Sequence, residues 1–471
     1  MSGKKLKQVI LPLTLVLFAA CNKQVLVDYE KIPSDPISVN LVPGQPGIRV
    51  PSDFTGLSFE TDMLTEGYLN GNNTALIRLV KLLGAQGSIR VGGTSLDNIF
   101  WTDKSRNGST DVDSLYTTDV ANFFAFARAT GWKVLFGLNM AQSTSAKAVS
   151  EADYILGADA SSLTAFELGD APDQYATLGL RPSPYTYAEF LQEWQTFYSD
   201  VHPLVPKAVF AGPSTNDDLN WLLPFISAEA GRISMATNHF YMLNGSDITA
   251  TRLLTPDDTF LTSITETVAS CRVAGLPFRM EETNSVAGTG KGGVSNTLAS
   301  ALWGLDYMFA LAGAGVNGVN FHGNNTDDNA PISITGTTVT AEPLFYGMLC
   351  FQLGCQGRFI PVRMTTSGLN ITAYAVLTDN GKIALTVINK DGTTNADLTI
   401  DTGMPLTSAG YISLASSTST LTATSGITLG GNAVKSNGDF TTPAYTPITQ
   451  LSGDTAFITV PAASAMVISL Q

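Results

Sequence analysis

Short apolar segments rich in β-branched and aromatic residues alternate with helical segments from about Asp53 to Asn325. The apolar segments are long enough for strands, and spacings of roughly 30 to 50 residues between their ends leave room for a loop and a crossover helix. Eight such units predict a closed (β/α)8 TIM barrel of the α/β class. The candidate strands end near Glu60, Gly92, Asn139, Gly169, Gly212, Tyr241, Glu282 and His322.

Two of the intervening segments show clear helix signals. Asn73 can cap an apolar run that stops at Gly84, and the segment from Thr297 to Gly313 places leucines and a methionine at helical spacing. An open doubly wound sheet is the alternative to the barrel, but no glycine-rich phosphate-binding motif opens any of the helices. Nucleotide binding therefore has no support.

The pattern changes to period two after about Gly357, and Asp-Asn-Gly and Asp-Gly turns separate the alternating segments. Successive hairpins of this kind predict an all-β sandwich over residues 357–471, following a barrel over residues 51–356. The segment 37–50 also alternates but is too short to fold alone. We predict that it adds a strand to the distant sandwich.

The composition is that of a globular protein and limits its partners. Of 471 residues, 44% are apolar and only 14% are charged, with a net charge of −14. Nucleic acids and long polyanions bind chiefly through Lys and Arg, so an acidic surface argues against both. The sequence carries no signal for the oligomeric state.

The first 21 residues have the features of an export signal. Three lysines precede an apolar run from Val9 to Ala20 that is too short for a comfortable transmembrane span. Phe18-Ala19-Ala20-Cys21 resembles the lipobox of bacterial lipoproteins, in which the cysteine is lipidated, although simple secretion is an alternative. We predict a lipoprotein at the cell envelope, joined to the membrane only by this anchor through a tether over residues 22–36.

Cysteine and histidine spacing gives no indication of a metal or cofactor. If Cys21 carries lipid, the odd set Cys271, Cys350 and Cys355 remains, without the spacing of a disulfide framework or a zinc site. No three His, Asp or Glu residues have metal-ligand spacing, and no Gly-x-Ser-x-Gly motif is present. We therefore predict no cofactor, and a reaction that depends on carboxylates.

Strand carboxyl ends of a TIM barrel converge on one pocket, so polar residues at these ends are candidates as a set. Glu282 can act there or be a buried acid paired with an arginine, and Glu60 can line the pocket or pair with Arg90. Strand alternation turns Glu281 to the opposite side, where a structural role is expected. The candidates are Glu60, Asp97, Asn139, Asp170, His239, Tyr241, Glu282 and His322.

These strand ends resemble glycoside hydrolase family 79, the β-glucuronidase and heparanase family, in the order FTGLSFE, IRVGGTSLD, VLFGLN, FELGDAPD, TNHFYMLNG, RMEETNS and GVNFHG. The resemblance implies a barrel with a β-sandwich built from both chain ends. It further implies that Glu282, before Thr-Asn-Ser, is the nucleophile of a retaining mechanism and that Tyr241 orients it. Residues expected around the sugar are Glu60, Gly93, Asn139, His239, His322 and Gly323.

The chain departs from this family at the general acid/base. The family motif is Glu-Leu-Gly-Asn-Glu-Pro-Asp, whereas residues 167–173 read Glu-Leu-Gly-Asp-Ala-Pro-Asp, so Ala171 leaves the acid/base position vacant. Strand geometry places Glu167 roughly 13 Å too deep and Asp173 about 7 Å too far along. A strand shift or bulge could bring Asp170 into the acid position, which makes it the candidate displaced acid.

Uronate recognition is weakened at the same time. Ala287 stands where the family commonly has a tyrosine near the uronate carboxylate, and no aromatic follows His322, although backbone amides in 288–293 or near Gly323 could bind an anion. We expect a β-glucuronidase-like hydrolase of impaired activity acting on a carbohydrate. The alternatives are a non-catalytic surface glycan-binding protein and, less favoured by the polar strand ends, a structural envelope protein.

Overall fold

Eight parallel strands close into a barrel in which each strand pairs with its neighbours in chain order, and the last pairs with the first. The computed structural model describes residues 32–336, 338–365 and 368–471. In the predicted strands the apolar runs are almost fully buried, as expected for a parallel sheet covered by helices. The barrel strands are β1 (Thr55–Glu60), β2 (Ser88–Gly92), β3 (Lys133–Leu138), β4 (Leu163–Leu168), β5 (Phe210–Asn216), β6 (Ile233–Leu243), β7 (Phe278–Val286) and β8 (Gly318–His322).

Helices cover the barrel, and local sequence explains where they begin and end. The Asn73 side chain accepts a hydrogen bond from Leu76 N at 3.2 Å, and one helix stops at Gly275, whose φ of 73° favours glycine. The helices are Asp62–Thr65, Thr74–Leu82, Thr117–Thr130, Ser145–Asp159, Tyr187–Val201, Leu219–Glu229, Ala250–Leu253, Asp258–Ala274, Leu298–Ala314 and Pro343–Gly354, with single 3₁₀ turns at Leu96–Asn98 and Pro172–Gln174.

A β-sandwich follows the barrel, so the predicted (β/α)8 barrel with a C-terminal β-domain is confirmed. One sheet contains, in spatial order, Val362–Met364, Ser34–Leu41, Asn395–Asp401, Thr455–Val460 and Leu451–Ser452. The other contains Gly357–Ile360, Ile371–Thr378, Ile383–Asn389, Ser464–Leu470, Ala409–Ser416 and Ile427–Leu429, with Thr446–Pro447 at Ala409–Ser416. Two small ribbons lie in the loops after β2 and β8, formed by Phe100–Thr102 with Ser114–Tyr116 and by Ile332–Thr335 with Thr338–Ala341.

The first described strand belongs to the sandwich. Ser34–Leu41 runs parallel to Asn395–Asp401, and its buried Ile37, Val39 and Leu41 contribute to the sandwich core. Because residues 34–36 already pair in this sheet, the tether predicted over 22–36 ends earlier than expected. The strand also stops at Leu41 rather than continuing to Val50.

The barrel and the sandwich are joined by a polar contact as well as by apolar packing. Asp306, on the helix Leu298–Ala314, accepts hydrogen bonds from Thr372 Oγ1 at 2.7 Å and Tyr374 OH at 2.8 Å. Lys390 Nζ lies 2.5 Å from the other carboxylate oxygen. The helix on the barrel surface is thereby fixed to three positions of one sandwich sheet.

The predicted export signal, the lipidated Cys21 and most of the tether lie outside the described residues. Across the part of the chain that the structure covers, no helix is both long and apolar enough to cross a membrane. Cys271, Cys350 and Cys355 are buried free thiols in this part.

Candidate active site

A β-bulge in β7 turns two consecutive glutamates toward the barrel interior. The register between β7 and β6 shifts between Met280 and Glu282, so strand alternation is interrupted at Glu281. Glu281 Oε1 accepts a hydrogen bond from Ser214 Oγ at 2.8 Å and lies 3.1 Å from His239 Nε2. The expectation that Glu281 faces away from the site is therefore wrong, because it assumed an uninterrupted period of two.

Glu282 is held at the mouth of the barrel through both carboxylate oxygens. Tyr241 OH donates to Oε1 at 2.8 Å, and Arg90 Nη1 donates to Oε2 at 2.5 Å. His239 Nδ1 and His322 Nδ1 lie 3.6 and 3.5 Å from the carboxylate. The Glu282 side chain is only 8% exposed, so this oxygen pair is oriented in a largely dry setting.

The surrounding charges keep Glu282 ionised. Burial alone would raise the pKa of Glu282, but His322, His239 and Arg90 outweigh it and the pKa is strongly lowered. The reciprocal effect acts on the imidazoles: against the lowering effect of burial, neighbouring carboxylates raise the pKa of His239 to about 10 and that of His322 to about 9. An ionised carboxylate with fixed geometry is what nucleophilic attack requires.

Arg90, on β2, is the centre of this network and is completely buried. Besides Glu282, it donates to Asp170 Oδ1 through Nη2 at 2.5 Å and to Glu167 Oε2 through Nε at 3.2 Å. Ser214 Oγ accepts a further hydrogen bond from Nη2 at 3.2 Å. A single guanidinium on β2 thus connects three carboxylates from β4, the turn that follows it, and β7.

Asp170 follows β4 and faces the cavity. Its Oδ1 also accepts from the backbone N–H of Gly93 at 3.0 Å, while the structured part of the chain offers Oδ2 no hydrogen-bond partner. Burial and the charge of Glu282 raise the pKa of Asp170 against the opposing effect of Arg90. An Asp170 oxygen lies within 4.8 Å of one of Glu282, close to the spacing of about 5 to 5.5 Å between the carboxyls of retaining glycosidases.

Ala171 occupies the left-handed region, with φ 42° and ψ 57°, and its methyl group faces the same cavity. Its backbone N–H donates to Ser214 O at 2.9 Å, and Ser214 itself has φ 60°. Such conformations are costly for residues other than glycine. Asp173 does not replace the missing acid, because its two oxygens accept from Asn216 N and Gln174 Nε2, each at 2.8 Å.

Of the two alternatives for Glu60, lining the pocket or pairing with Arg90, the structure shows the first: Glu60 lines the cavity and forms no ion pair with Arg90. Its carboxylate accepts from Ser95 N at 2.8 Å and Thr94 N at 3.2 Å, and lies 3.5 Å from His322 Nε2. Burial would raise the pKa of Glu60, but the hydrogen bonds from His322 and Ser95 lower it overall. Glu60 therefore fixes the loop after β2 and remains ionised.

These residues line one open cavity of about 570 Å³, large enough for a sugar ring with part of its aglycone. The sequence-predicted residues that line it are Glu60, Asp170, Ala171, His239, Tyr241, Glu282 and His322.

Four candidates lie outside the cavity wall. Gly93 supports Asp170 from behind, and a side chain at its position would overlap the Glu60 carboxylate. Asn139 instead binds Ile99 O and Gln142 N, and Asp97 accepts from Tyr175 OH at 3.3 Å. Gly323 is packed against Ala330, where a Cβ would approach to 2.6 Å. The structure thus does not bring the Asn139 amide or Gly323 to the sugar space.

Asp170, His239 and Glu282 place oxygen and nitrogen atoms within 4.8 Å of one another, a separation that a metal ion could bridge. Arg90 already occupies this space, because its Nη1 and Nη2 contact Glu282 and Asp170 at 2.5 Å and Nη2 lies 3.4 Å from His239 Nε2. A cation would have to displace the guanidinium. We interpret the cluster as an ion-pair network and not as a metal centre.

Three contributors to the site were not identified from the sequence. Arg90 appears in the strand segment SIRVGG, but one arginine in an apolar strand does not reveal that it faces inward. Ser214 reaches the network because the β5 register shifts between Pro213 and Thr215. Asp62 also lines the cavity, with a buried, unpartnered Oδ1, and burial together with Glu60 and Glu66 raises its pKa to about 6.

Comparison with known sequences finds relatives with a named activity. The chain is 24% identical over 364 residues to a β-glucuronidase of Aspergillus niger, covering 68% of this chain and 66% of that protein. It is 25% identical over 376 residues to a β-glucuronidase of Neurospora crassa, covering 69% and 64%. The chain resembles the β-glucuronidases. This confirms the resemblance inferred from the strand ends, although the match spans less than two thirds of either relative, and no family model matches the chain.

Solved structures share the fold. A 4-O-α-L-rhamnosyl-β-D-glucuronidase from Fusarium oxysporum 12S superposes with a TM-score of 0.75 at 17% identity, covering 92% of this chain and all of that one. A family 51 arabinofuranosidase from Xanthomonas axonopodis pv. citri superposes with a TM-score of 0.71 at 15% identity, covering 94% and 100%. At these identities the likeness concerns the barrel and sandwich architecture alone.

Proposed function

We propose that this protein is a β-glucuronidase-like retaining glycoside hydrolase that uses Glu282 as its nucleophile and lacks the usual general acid/base. The observation that carries the proposal is the pair of hydrogen bonds from Tyr241 and Arg90, which hold an ionised Glu282 at the cavity floor. In the first step Glu282 attacks the anomeric carbon and the aglycone oxygen leaves with the bonding electrons. Water then attacks the anomeric carbon of the glycosyl-enzyme, loses its proton to solvent, and releases Glu282 as a carboxylate.

The vacancy at Ala171 determines which aglycones can leave. A methyl group cannot protonate the departing oxygen, and loss of general acid catalysis costs on the order of 10² to 10⁴ in rate. Aryl glycosides, whose phenolate needs little protonation, should therefore be cleaved far better than alkyl glycosides. Comparing kcat/KM for an aryl and an alkyl glycoside of the same sugar tests this. Equal rates would show that another group protonates the leaving oxygen. The absence of aryl glycoside turnover would reject the proposed hydrolase activity.

Azide provides a second test, because it needs no general base and is small enough for the space beside Ala171. We expect azide to attack the glycosyl-enzyme and yield a β-glycosyl azide, with Glu282 as the leaving carboxylate. Product analysis by mass spectrometry and NMR distinguishes this adduct from the hydrolysed sugar. If only the hydrolysed sugar forms in azide, another side chain already acts as the acid/base beside Ala171.

Asp170 is our candidate for such a group. Three observations support this role. The pKa of Asp170 is raised, its Oδ2 has no hydrogen-bond partner within the described chain, and it lies near Glu282. If Asp170 supplies the proton, Asp170→Asn should lower alkyl glycoside turnover much more than aryl turnover. If Asp170 only binds a sugar hydroxyl, the two should fall together.

The sugar we propose is a glucuronide or a related glycoside. No lysine or arginine is among the described residues that line the cavity, so a uronate carboxylate would depend on other donors. Gly288 and Thr289 line the cavity, and their backbone N–H groups donate to no other described residue. With Gly288 at φ 65°, this turn can form an anion-binding concavity. Matched aryl β-glucuronide and β-glucoside substrates test the preference.

A second candidate function is glycan binding without turnover, favoured by the absence of a carboxyl at position 171. It predicts that a β-glucuronide binds equally well to the wild type and to Glu282→Gln, with hydrolysis in neither. Calorimetric titration alongside a product assay separates the two functions. Wild-type turnover that disappears in Glu282→Gln would reject the binding-only protein.

We also propose that the protein is exported and anchored by lipid on Cys21. The lysine-rich start, the apolar run and the Phe-Ala-Ala-Cys sequence support this. Metabolic labelling with a fatty-acid analogue should mark the full-length chain and not Cys21→Ser. Export of an unlabelled wild type would instead indicate simple secretion.

A further inference from the structure

Below the cavity floor, three buried side-chain oxygens have no hydrogen-bond partner anywhere in the described chain. They are Glu167 Oε1, Thr237 Oγ1 and Glu281 Oε2, from β4, β6 and β7. Glu167 and Glu281 are fully buried. An unpaired oxygen on an ionised buried carboxylate is costly. Each glutamate is nonetheless held through its other oxygen, Glu167 by Arg90 and Glu281 by Ser214.

The charge around Arg90 is also unbalanced. Four carboxyl groups act on this guanidinium, namely Asp170, Glu282, Glu167 and Glu281. The cations in contact with the cluster are Arg90 itself and the imidazolium groups of His239 and His322, the latter also lying 3.5 Å from Glu60. With the four carboxyls ionised, at least one negative charge would stay uncompensated in a nearly water-free space. Protonation of a carboxyl is the usual way in which a buried site avoids this cost.

We propose that Glu167 carries a proton on Oε1 near neutral pH and forms, with Glu281, a buried carboxyl pair that holds one proton beneath the active site. The pair positions the reacting groups without touching the substrate. A neutral Glu167 attracts the Arg90 guanidinium less strongly than an ionised one. Arg90 Nη1 and Nη2 therefore remain directed at Glu282 and Asp170. The effect of this pair on activity rests on the proposed glycosidase function. The presence of the buried proton does not depend on that function.

Electrostatics agree with this geometry. Burial and the charge of Glu281 raise the pKa of Glu167 to about 7, while Arg90 and His239 oppose the shift. Asp170 acts on the same guanidinium, and Arg279 is the further charged group that faces Glu281. Since the folded-state pKa is raised, the stability contribution of Glu167 is complete below its ordinary range and is lost as pH rises through about 7.

The proton can be observed directly, without any substrate. In full-length protein labelled with ¹³C at the glutamate side-chain carboxyl, two buried resonances should titrate well above the exposed glutamates, and the one with its midpoint near 7 should be absent from Glu167→Gln. Glu281→Gln removes the neighbouring charge and should move this midpoint down by roughly one pH unit or more. A Glu167 resonance that titrates with the exposed glutamates, or a midpoint unmoved in Glu281→Gln, would overturn the proposal.

Glu151 provides a matched control. It is buried on the helix Ser145–Asp159, and burial alone raises its pKa to about 8. Glu151→Gln should delete a different resonance and leave the Glu167 titration unchanged. If Glu167→Gln does not fold, Glu281→Gln still decides through the shift in the Glu167 midpoint.

Activity supplies a second readout on an aryl glycoside. Wild-type kcat/KM should fall tenfold per pH unit above the Glu167 midpoint, because the ionised Glu167 then competes for Arg90. Glu167→Gln should retain wild-type kcat/KM at low pH and lose this alkaline limb, and Glu151→Gln should keep it. A Glu167→Gln profile identical to wild type would overturn the positioning role even if the proton is found. If no glycoside is turned over but Glu167 still titrates near 7, the proposed hydrolase activity is rejected and the proposed buried proton stands.

Discussion

The carboxyl ends of β7 and β4 face each other across the same cavity but are equipped very differently. At the end of β7, Glu282 is bound by Tyr241 and Arg90 and flanked by two imidazoles. At the end of β4, Ala171 keeps a left-handed backbone, yet it presents only a methyl group. The comparison shows that two strand ends on one cavity can differ completely in chemistry, because one carries a fixed carboxylate and the other only a methyl group. Under the proposed retaining mechanism, the β7 end supplies the nucleophile and position 171 supplies no acid.

The largest expected effect comes from removing the Glu282 carboxylate at the end of β7. Glu282→Gln keeps the shape of the side chain but eliminates the nucleophile, so aryl glycoside turnover should fall by on the order of 10⁴-fold or more. Initial rates with an aryl β-glucuronide measure the loss, and a thermal melt controls for folding. Residual activity within tenfold of wild type would mean that another residue is the nucleophile.

The next effect comes from restoring a carboxyl at position 171. Ala171→Glu adds a carboxyl where the family has one, and alkyl glycoside turnover should rise by roughly 10²- to 10⁴-fold while aryl turnover changes less. Ala171→Gln, which has the same size but no acid, serves as the control. A gain in both variants would point to packing and not to proton transfer.

A smaller effect is expected from Tyr241→Phe, which removes the hydrogen bond to Glu282 Oε1. Loss of a hydrogen bond to a charged group costs about 1.5 to 3 kcal/mol, which corresponds to roughly 10- to 100-fold in kcat/KM. Tyr185→Phe is a control outside the cavity, since its hydroxyl binds Glu193. Equal losses in both variants would show that stability, and not orientation of Glu282, is affected.

The smallest effect tests whether the β4 end is strained. Ala171→Gly relieves a left-handed conformation that costs an alanine about 1 to 2 kcal/mol, offset in part by the greater freedom of glycine in the unfolded chain. We expect the free energy of unfolding to rise by about 0.5 kcal/mol in urea denaturation, with aryl turnover unchanged. A clear decrease in stability would show that the Ala171 methyl group makes a packing contribution that outweighs the strain.

Most of the fold could be predicted from apolar periodicity, because eight buried strands ending in polar residues leave few arrangements other than a barrel. The end of β7 was accessible for the same reason, since Glu282 directly follows an apolar run. The position of Glu281 was not, because a bulge changes strand alternation without a glycine or proline to mark it. Asn139 was misplaced because its amide closes a local turn, which depends on the loop partners Ile99 and Gln142.

The Arg90 network was inaccessible for a different reason. Its six side-chain partners come from several separate strands, and a single arginine within SIRVGG looks the same whether it points inward or outward. The role of Ser214 depends on an irregular register in β5 that no local pattern announces. Side chains that act through a shared partner can be recognised only once the strands are assembled.

The bulge in β7 also limits how this protein can be altered. Glu281 and Glu282 share one side of the strand only because a single extra residue interrupts the ladder. These two glutamates are the only residues between Met280 and Thr283, so a one-residue deletion that restores the regular ladder removes one of the two carboxylates. Libraries that shorten this strand should therefore yield inactive products, whereas libraries confined to substitutions elsewhere in the strand would preserve the two carboxylates.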